Sequence, residues 1–178
     1  MKILITDDQS NRYQRLVTRL EAIGVKRGDI QFVQSTRQAR DVLEKTYCDI
    51  LILDIVVPLW PDQDPAKQHS LDLLFELHET ESMIKPGRIV GLTADREVAD
   101  DALGSFMDWT WTILEYSSIN DEWIDRCINC VKYEIEQSEA GRRRAEYGVD
   151  LAVVCALASP ELEEVLKLRR VLITRGQP

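Results

Sequence analysis

The stretch Asp49–Pro58, DILILDIVVP, is an apolar run that stops on a carboxylate, Asp54, with a proline four residues later. A strand apolar on both faces belongs in the middle of a parallel sheet, where helices cover both sides. A carboxylate at its end either caps the edge of the core or stands at the mouth of a site. The neighbouring segments decide between these.

Working outward, KILIT (Lys2 to Thr6) is a second short apolar strand, and it ends on Asp7 and Asp8. Leu16, Val17, Leu20 and Ile23 then recur at three- and four-residue spacing, which predicts a helix over Gln9 to Ile23 stopped by Gly24. IQFVQ (Ile30 to Gln34) reads as a strand. TRQARDVLEKT (Thr36 to Thr46) reads as a helix capped by Ser35 or Thr36. Past Pro58, the polar loop PLWPDQDPAKQHS leads to a helix near Leu71 to Glu79, and RIVGLT (Arg88 to Thr93) is the fourth strand. A helix over ADREVADDALGSF, a fifth strand WTWTIL (Trp109 to Leu114) and a long amphipathic helix from Ile119 to about Glu139 complete the series. Five strands, each followed by a helix, predict an α/β fold: a doubly wound parallel sheet of five strands with helices on both faces. Ligands of such sheets lie beyond the carboxyl ends of the strands at the topological switch point. Asp7, Asp8, Asp54 and Thr93 all fall at strand carboxyl ends and are expected to converge there.

The chain has 178 residues, 44% hydrophobic and 30% charged, with a formal charge of -9. No apolar run approaches the roughly 20 residues of a membrane span, and no basic-then-apolar leader follows Met1, so a soluble cytoplasmic protein without membrane partners is expected. The negative surface disfavours nucleic acid; Arg142 to Arg144 are the densest basic cluster. Cys48, Cys127, Cys130 and Cys155 are too few and too scattered for a disulfide scaffold, which predicts a reducing compartment.

Carboxylates brought together raise one another's pKa and repel, so their convergence calls for a cation. A hard divalent ion suits them. Magnesium prefers about six oxygens and takes one or two carboxylates with phosphate oxygens. Asp54 could then attack phosphorus, with the metal and the Thr93 hydroxyl stabilising the transferred group. The plainer alternative leaves Asp7 and Asp8 as helix-opening acids and Asp54 as a strand cap.

The segments ILITDDQ, DILILDIVVP and IVGLTAD resemble those of receiver domains of two-component response regulators, over roughly residues 1–139. The resemblance implies a flavodoxin-like fold that takes a phosphoryl group from a histidine kinase or phosphotransfer protein and regulates a downstream effector domain. The resemblance also implies a regulatory domain rather than an enzyme. By position, the resemblance makes Asp54 the acceptor, Asp8 a direct magnesium ligand, Asp7 a ligand through water and the Val56 carbonyl a further ligand. Thr93, with Ala94, would bind the phosphoryl group, and Trp111 stands at the aromatic switch of the fifth strand. One departure stands out. Where the family carries a lysine after the fifth strand, this chain has Leu114 followed by Glu115, which removes a charge-assisted contact worth roughly 1.5 to 3 kcal/mol. The rival expectation is therefore a pseudo-receiver, the same fold serving as a phosphorylation-independent interaction or dimerisation module. A small flavodoxin-like enzyme or nucleotide binder is disfavoured, because no Gly-rich phosphate loop follows the first strand.

Asp62 and Asp64, in the long loop after Pro58, are read as solvated. CINC (Cys127 to Cys130) lies within a helical pattern, far in sequence from His69 and His78, and reads as helix-face cysteines rather than zinc ligands. The expected organisation is a receiver over 1–139, a linker or continuing helix over 140–148, and over 149–178 either the start of a second domain or a tail for packing or homodimerisation. LAVVCALASPELEEVL (Leu151 to Leu166) is similar to the opening of the nucleoside phosphorylase and nucleosidase superfamily. Any nucleosidase-like activity would belong to a downstream domain.

Overall fold

The structure, a computed structural model, describes residues 1–94, 104, 110 and 112–147, with side chains to residue 138. Five parallel strands, β1 (Ile3–Thr6), β2 (Ile30–Val33), β3 (Ile50–Asp54), β4 (Arg88–Thr93) and β5 (Thr112–Glu115), form one sheet in the order β2-β1-β3-β4-β5. The helices are α1 (Gln14–Ala22), α2 (Thr36–Leu43), α3 (Lys67–Glu79) and α4 (Glu122–Tyr147). Most of the helix expected over 94–106, together with Trp109, Trp111 and the tail over 149–178, lies outside the described residues. The chain divides into two compact units, Met1–Ile135 and Glu136–Pro178. No helix among the described residues is long and apolar enough to cross a membrane.

Alternation along the strands builds the two layers. Ile3, Ile5, Ile50 and Ile52 face one side, where Leu16, Leu20, Trp123 and Ile128 bring α1 and α4 onto the sheet. Leu4, Leu51 and Leu53 face the other, against Ala39 and Leu43 of α2 and Leu73 and Leu77 of α3. Both faces are thus dry, as the uninterrupted apolar run of β3 requires. At the end of α1 the chain turns through Gly24 at φ +95°, a conformation that glycine takes at little cost. Of the two caps weighed for α2, Ser35 serves: its hydroxyl accepts from the Gln38 N–H.

The start of the first helix departs from expectation. Residues Ser10–Tyr13 form a 3-10 turn before α1 begins at Gln14, because Asp7 takes the Gln9 N–H on its own carboxylate and draws the chain tightly round the end of β1. β5 is also shifted, to Thr112–Glu115, and α4 runs on to Tyr147, through most of the stretch expected to be a linker or continuing helix.

Candidate functional site

In the order β2-β1-β3-β4-β5, the connection from β1 leads to β2 on one side and the connection from β3 leads to β4 on the other, so the crevice opens beyond the ends of β1 and β3. Asp7 follows the last residue of β1, and Asp54 is the last residue of β3. One carboxylate oxygen from each of Asp7, Asp8 and Asp54 lies within 4.8 Å of the others. Asp7 and Asp54 are buried and Asp8 is half-buried.

The backbone after Asp54 is tied at every step, which accounts for the rest of the DILILDIVVP stretch. The Ile55 N–H donates to the Leu92 carbonyl at 2.8 Å, and the Val56 N–H donates to Asp54 Oδ1 at 3.0 Å. Ser70 Oγ, buried on α3, donates to the Ile55 carbonyl at 2.6 Å. Ala66 N–H reaches the Val57 carbonyl, and the Thr36 N–H at the start of α2 reaches the Pro58 carbonyl. Pro58 has no N–H to leave unpaired, so a proline can stand here with its carbonyl as a helix-start partner. The Asp54 carboxylate therefore stands at the end of β3, at the head of a loop fixed by both neighbouring helices.

Two residues that sequence reading passed over complete the site. Arg12 Nη1 lies 3.0 Å from Asp7 Oδ2 and 3.0 Å from Asp54 Oδ2, with only 8% of its side chain exposed. Its guanidinium carbon stands 4.7 Å from the ring centre of Tyr116, just past β5. Tyr13 Oη donates to the same Asp7 oxygen at 2.7 Å. Tyr13 extends the apolar stripe of Leu16, Val17 and Leu20 by one turn, which was a usable signal. Arg12 carried only the spacing of a base four residues after Asp8.

Electrostatically the pocket is strained toward neutrality. Burial, then the Asp7 carboxylate, push Asp54 up to about 7 against the opposing pull of the Val56 N–H and Arg12. Burial likewise raises Asp7, opposed by Tyr13, the Gln9 N–H and Arg12. For Arg12, burial works against the charge, but Asp7 and Asp54 outweigh it and hold the guanidinium more firmly protonated than usual.

Three anionic oxygen donors this close fit a hard divalent cation, for which oxygens on opposite sides of the ion stand about 4 to 5 Å apart. The Oδ2 atoms of Asp7 and Asp54 already share one guanidinium nitrogen, Arg12 Nη1. Thr93 is buried at the end of β4, one residue beyond Leu92, which registers with Asp54; Ala94 follows it and is exposed. Leu114 is buried in β5 opposite Leu92, and the exposed Glu115 registers with Thr93. Trp111 lies outside the described residues. Asp62 and Asp64 are exposed, as is His78, while His69 is half-buried; Cys127 is buried and Cys130 half-buried on α4. The structure thus brings together Asp7, Asp8 and Asp54, with Val56 and Thr93 at the adjoining strand ends.

No family model matches the chain. It is 24% identical over 169 residues to the uncharacterised protein y4jS of Sinorhizobium fredii, an alignment that covers 91% of this chain and 41% of that protein. The chain therefore spans about two fifths of the length of this curated relative. Among solved structures, it is similar to the receiver domain of the Francisella response regulator 1452, with a TM-score of 0.56, 18% identity, and coverage of 77% of this chain and 98% of that one. It is also similar to the response regulator TrrA of Thermotoga maritima in complex with Mg2+ and BeF, with a TM-score of 0.52, 22% identity, and coverage of 72% and 97%. With its parallel order β2-β1-β3-β4-β5, the chain has the flavodoxin-like, CheY-like fold of response regulator receiver domains.

Proposed function

We propose that residues 1–139 act as a cytoplasmic phosphoacceptor receiver domain, with Asp54 as the acceptor. The observation that carries this reading is the convergence of Asp7, Asp8 and Asp54 within 4.8 Å at the switch point of the sheet, with Asp54 at the end of β3 where a braced loop begins. In the transfer, an Asp54 oxygen forms a bond to phosphorus as the bond from phosphorus to the kinase's histidine nitrogen breaks. The partner is a histidine kinase or a phosphotransfer protein. Asp7, Asp8, Asp54 and the Val56 carbonyl are the proposed magnesium ligands, and Thr93 with Ala94 receives the phosphoryl oxygens. Bound magnesium would supply positive charge to the carboxylates and to the transferred group together. Residues 140–148, helical to Tyr147, would connect the receiver to the segment over 149–178 and an effector beyond it. The transferred group would then shift the receiver between two populations that the effector distinguishes.

A second reading, the pseudo-receiver, gains support from two observations: Arg12 already pairs with Asp54, and Leu114 is a buried apolar residue at the end of the sheet where a cation is expected. Intact-protein mass after incubation with magnesium and acetyl phosphate separates the two. A phosphate-sized gain in the wild type, absent in Asp54→Asn, is the expected result. No gain with any of several small donors, in folded protein, rejects the phosphoacceptor reading in favour of the interaction module. A gain retained in Asp54→Asn rejects the assignment of Asp54.

A further inference from the structure

Among the described residues of the crevice, Arg12 is a feature that neither the sequence pattern nor the fold required. It stands in the 3-10 turn that follows β1, where the Arg12 N–H donates to the Gln9 carbonyl and the Gln9 N–H donates to Asp7. From there a single nitrogen, Nη1, bridges the Oδ2 atoms of Asp7 and Asp54 at equal distances of 3.0 Å. Tyr116 packs against the guanidinium at 4.7 Å, and Tyr13 holds Asp7 in place from the other side. The charge is thus locked between two buried carboxylates. Arg12 Nε, however, is buried and has no hydrogen-bond partner. A buried donor without an acceptor is costly, so the seat is imperfect for a guanidinium even though its charge is well matched.

A hard divalent cation at the same place would draw on the same two carboxylates, whose Oδ1 atoms already accept from the Gln9 and Val56 N–H groups. Two cations within contact distance of one oxygen pair repel, and each carboxylate oxygen turned to the guanidinium is turned away from a metal. We propose that Arg12 is a built-in competitor for the acidic pocket: a divalent cation enters by displacing its guanidinium from Asp7 and Asp54. The pocket then has two closed charge arrangements, one self-sealed by arginine and one holding the metal with Arg12 swung outward, where Nε gains access to water. The metal side of this exchange rests on the proposed magnesium site, but its readout is cation binding and side-chain position, not phosphoryl transfer.

The experiment titrates magnesium, and manganese as a second divalent probe, into the full chain as wild type, Arg12→Met and Arg12→Lys. Affinity is read by calorimetry and the Arg12 Nε–H by proton–nitrogen NMR. Arg12→Met keeps apolar volume beside Tyr116 without charge, and Arg12→Lys keeps the charge without the fork; a thermal melt of each establishes folding first. We expect Arg12→Met to bind the ion at least tenfold more tightly than wild type, with Arg12→Lys between them. In wild type, the Nε–H signal, assigned by its loss in Arg12→Lys, should shift or exchange with water as the metal saturates. Equal affinity in wild type and Arg12→Met overturns the proposal. So does an Nε–H signal unmoved at saturation, since the ion would then sit beside the guanidinium rather than in its place. Absence of binding in every variant overturns it too, while leaving phosphoryl acceptance to be decided by mass. If Arg12→Met does not fold, the NMR titration of wild type alone decides.

Discussion

Arg12, Arg15 and Arg19 lie within eight residues of one another, and each meets a carboxylate, yet the three pairs are physically unlike. Arg15 and Arg19 reach across to Asp121 and Asp125 at the start of α4, with 73% and 40% of their side chains exposed. Arg12 turns inward to Asp7 and Asp54, whose side chains are 0% and 6% exposed. Water screens the outer pairs, so they add little; it is excluded from the inner one, where removing either sign leaves the other stranded. The same pairing of residue types is ornament outside and a structural decision inside.

Four measurements test this contrast, in falling order of effect. Arg12→Ala, followed by chemical denaturation in chelator, should lose about 3 kcal/mol, as breaking a buried ion pair does, and added magnesium should restore more stability to it than to wild type. A loss no larger than that of an outer arginine would erase the distinction. Tyr13→Phe removes the hydroxyl that donates to Asp7 at 2.7 Å and should cost roughly 1 to 2 kcal/mol, since the buried Asp7 oxygen keeps only its Arg12 donor while the ring remains in place.

The third measurement concerns burial on α4, beneath the outer pairs. Burial pushes the Cys127 thiol up to about 12 and also raises the half-buried Cys130. A thiol with a raised pKa stays protonated in the folded chain as pH climbs past its ordinary value, and only the thiolate reacts quickly. At pH 8, mass-resolved alkylation of the native protein should therefore label Cys130 well before Cys127, and the order should vanish in denaturant. Lastly, Arg15→Ala and Arg19→Ala should each shift stability by less than about 1 kcal/mol, and less still in high salt.

The contrast also marks what could be read in the sequence. β3 and β4 were legible because an apolar run bounded by polar residues admits few other interpretations, and Asp54 was legible because it ends such a run. Ser35 as a cap and the stripe of α1 followed from spacing alone. Arg12 did not. Its importance depends on a 3-10 turn beside which Asp7 holds the Gln9 N–H, and on Tyr116, more than a hundred residues away, lying against it. Nothing in a periodicity distinguishes an inward arginine from Arg15 three residues later. The length of α4 was half legible: QSEAGRRRAEY was open to either a linker or a continuing helix, since it has charge and good helix formers but no apolar stripe to decide.

The ties around Asp54 have a use in protein engineering. The segment from Leu59 to Pro65 hangs between two anchors, the Pro58 carbonyl held by Thr36 and the pairing of Val57 with Ala66, and its residues from Trp60 to Pro65 are exposed. Load placed on that tip is borne by the anchors before it reaches the Asp54 carboxylate. A short epitope or a fluorophore-bearing peptide spliced between Asp62 and Asp64 should therefore report from within a few residues of the crevice while leaving the strand that carries Asp54 in register.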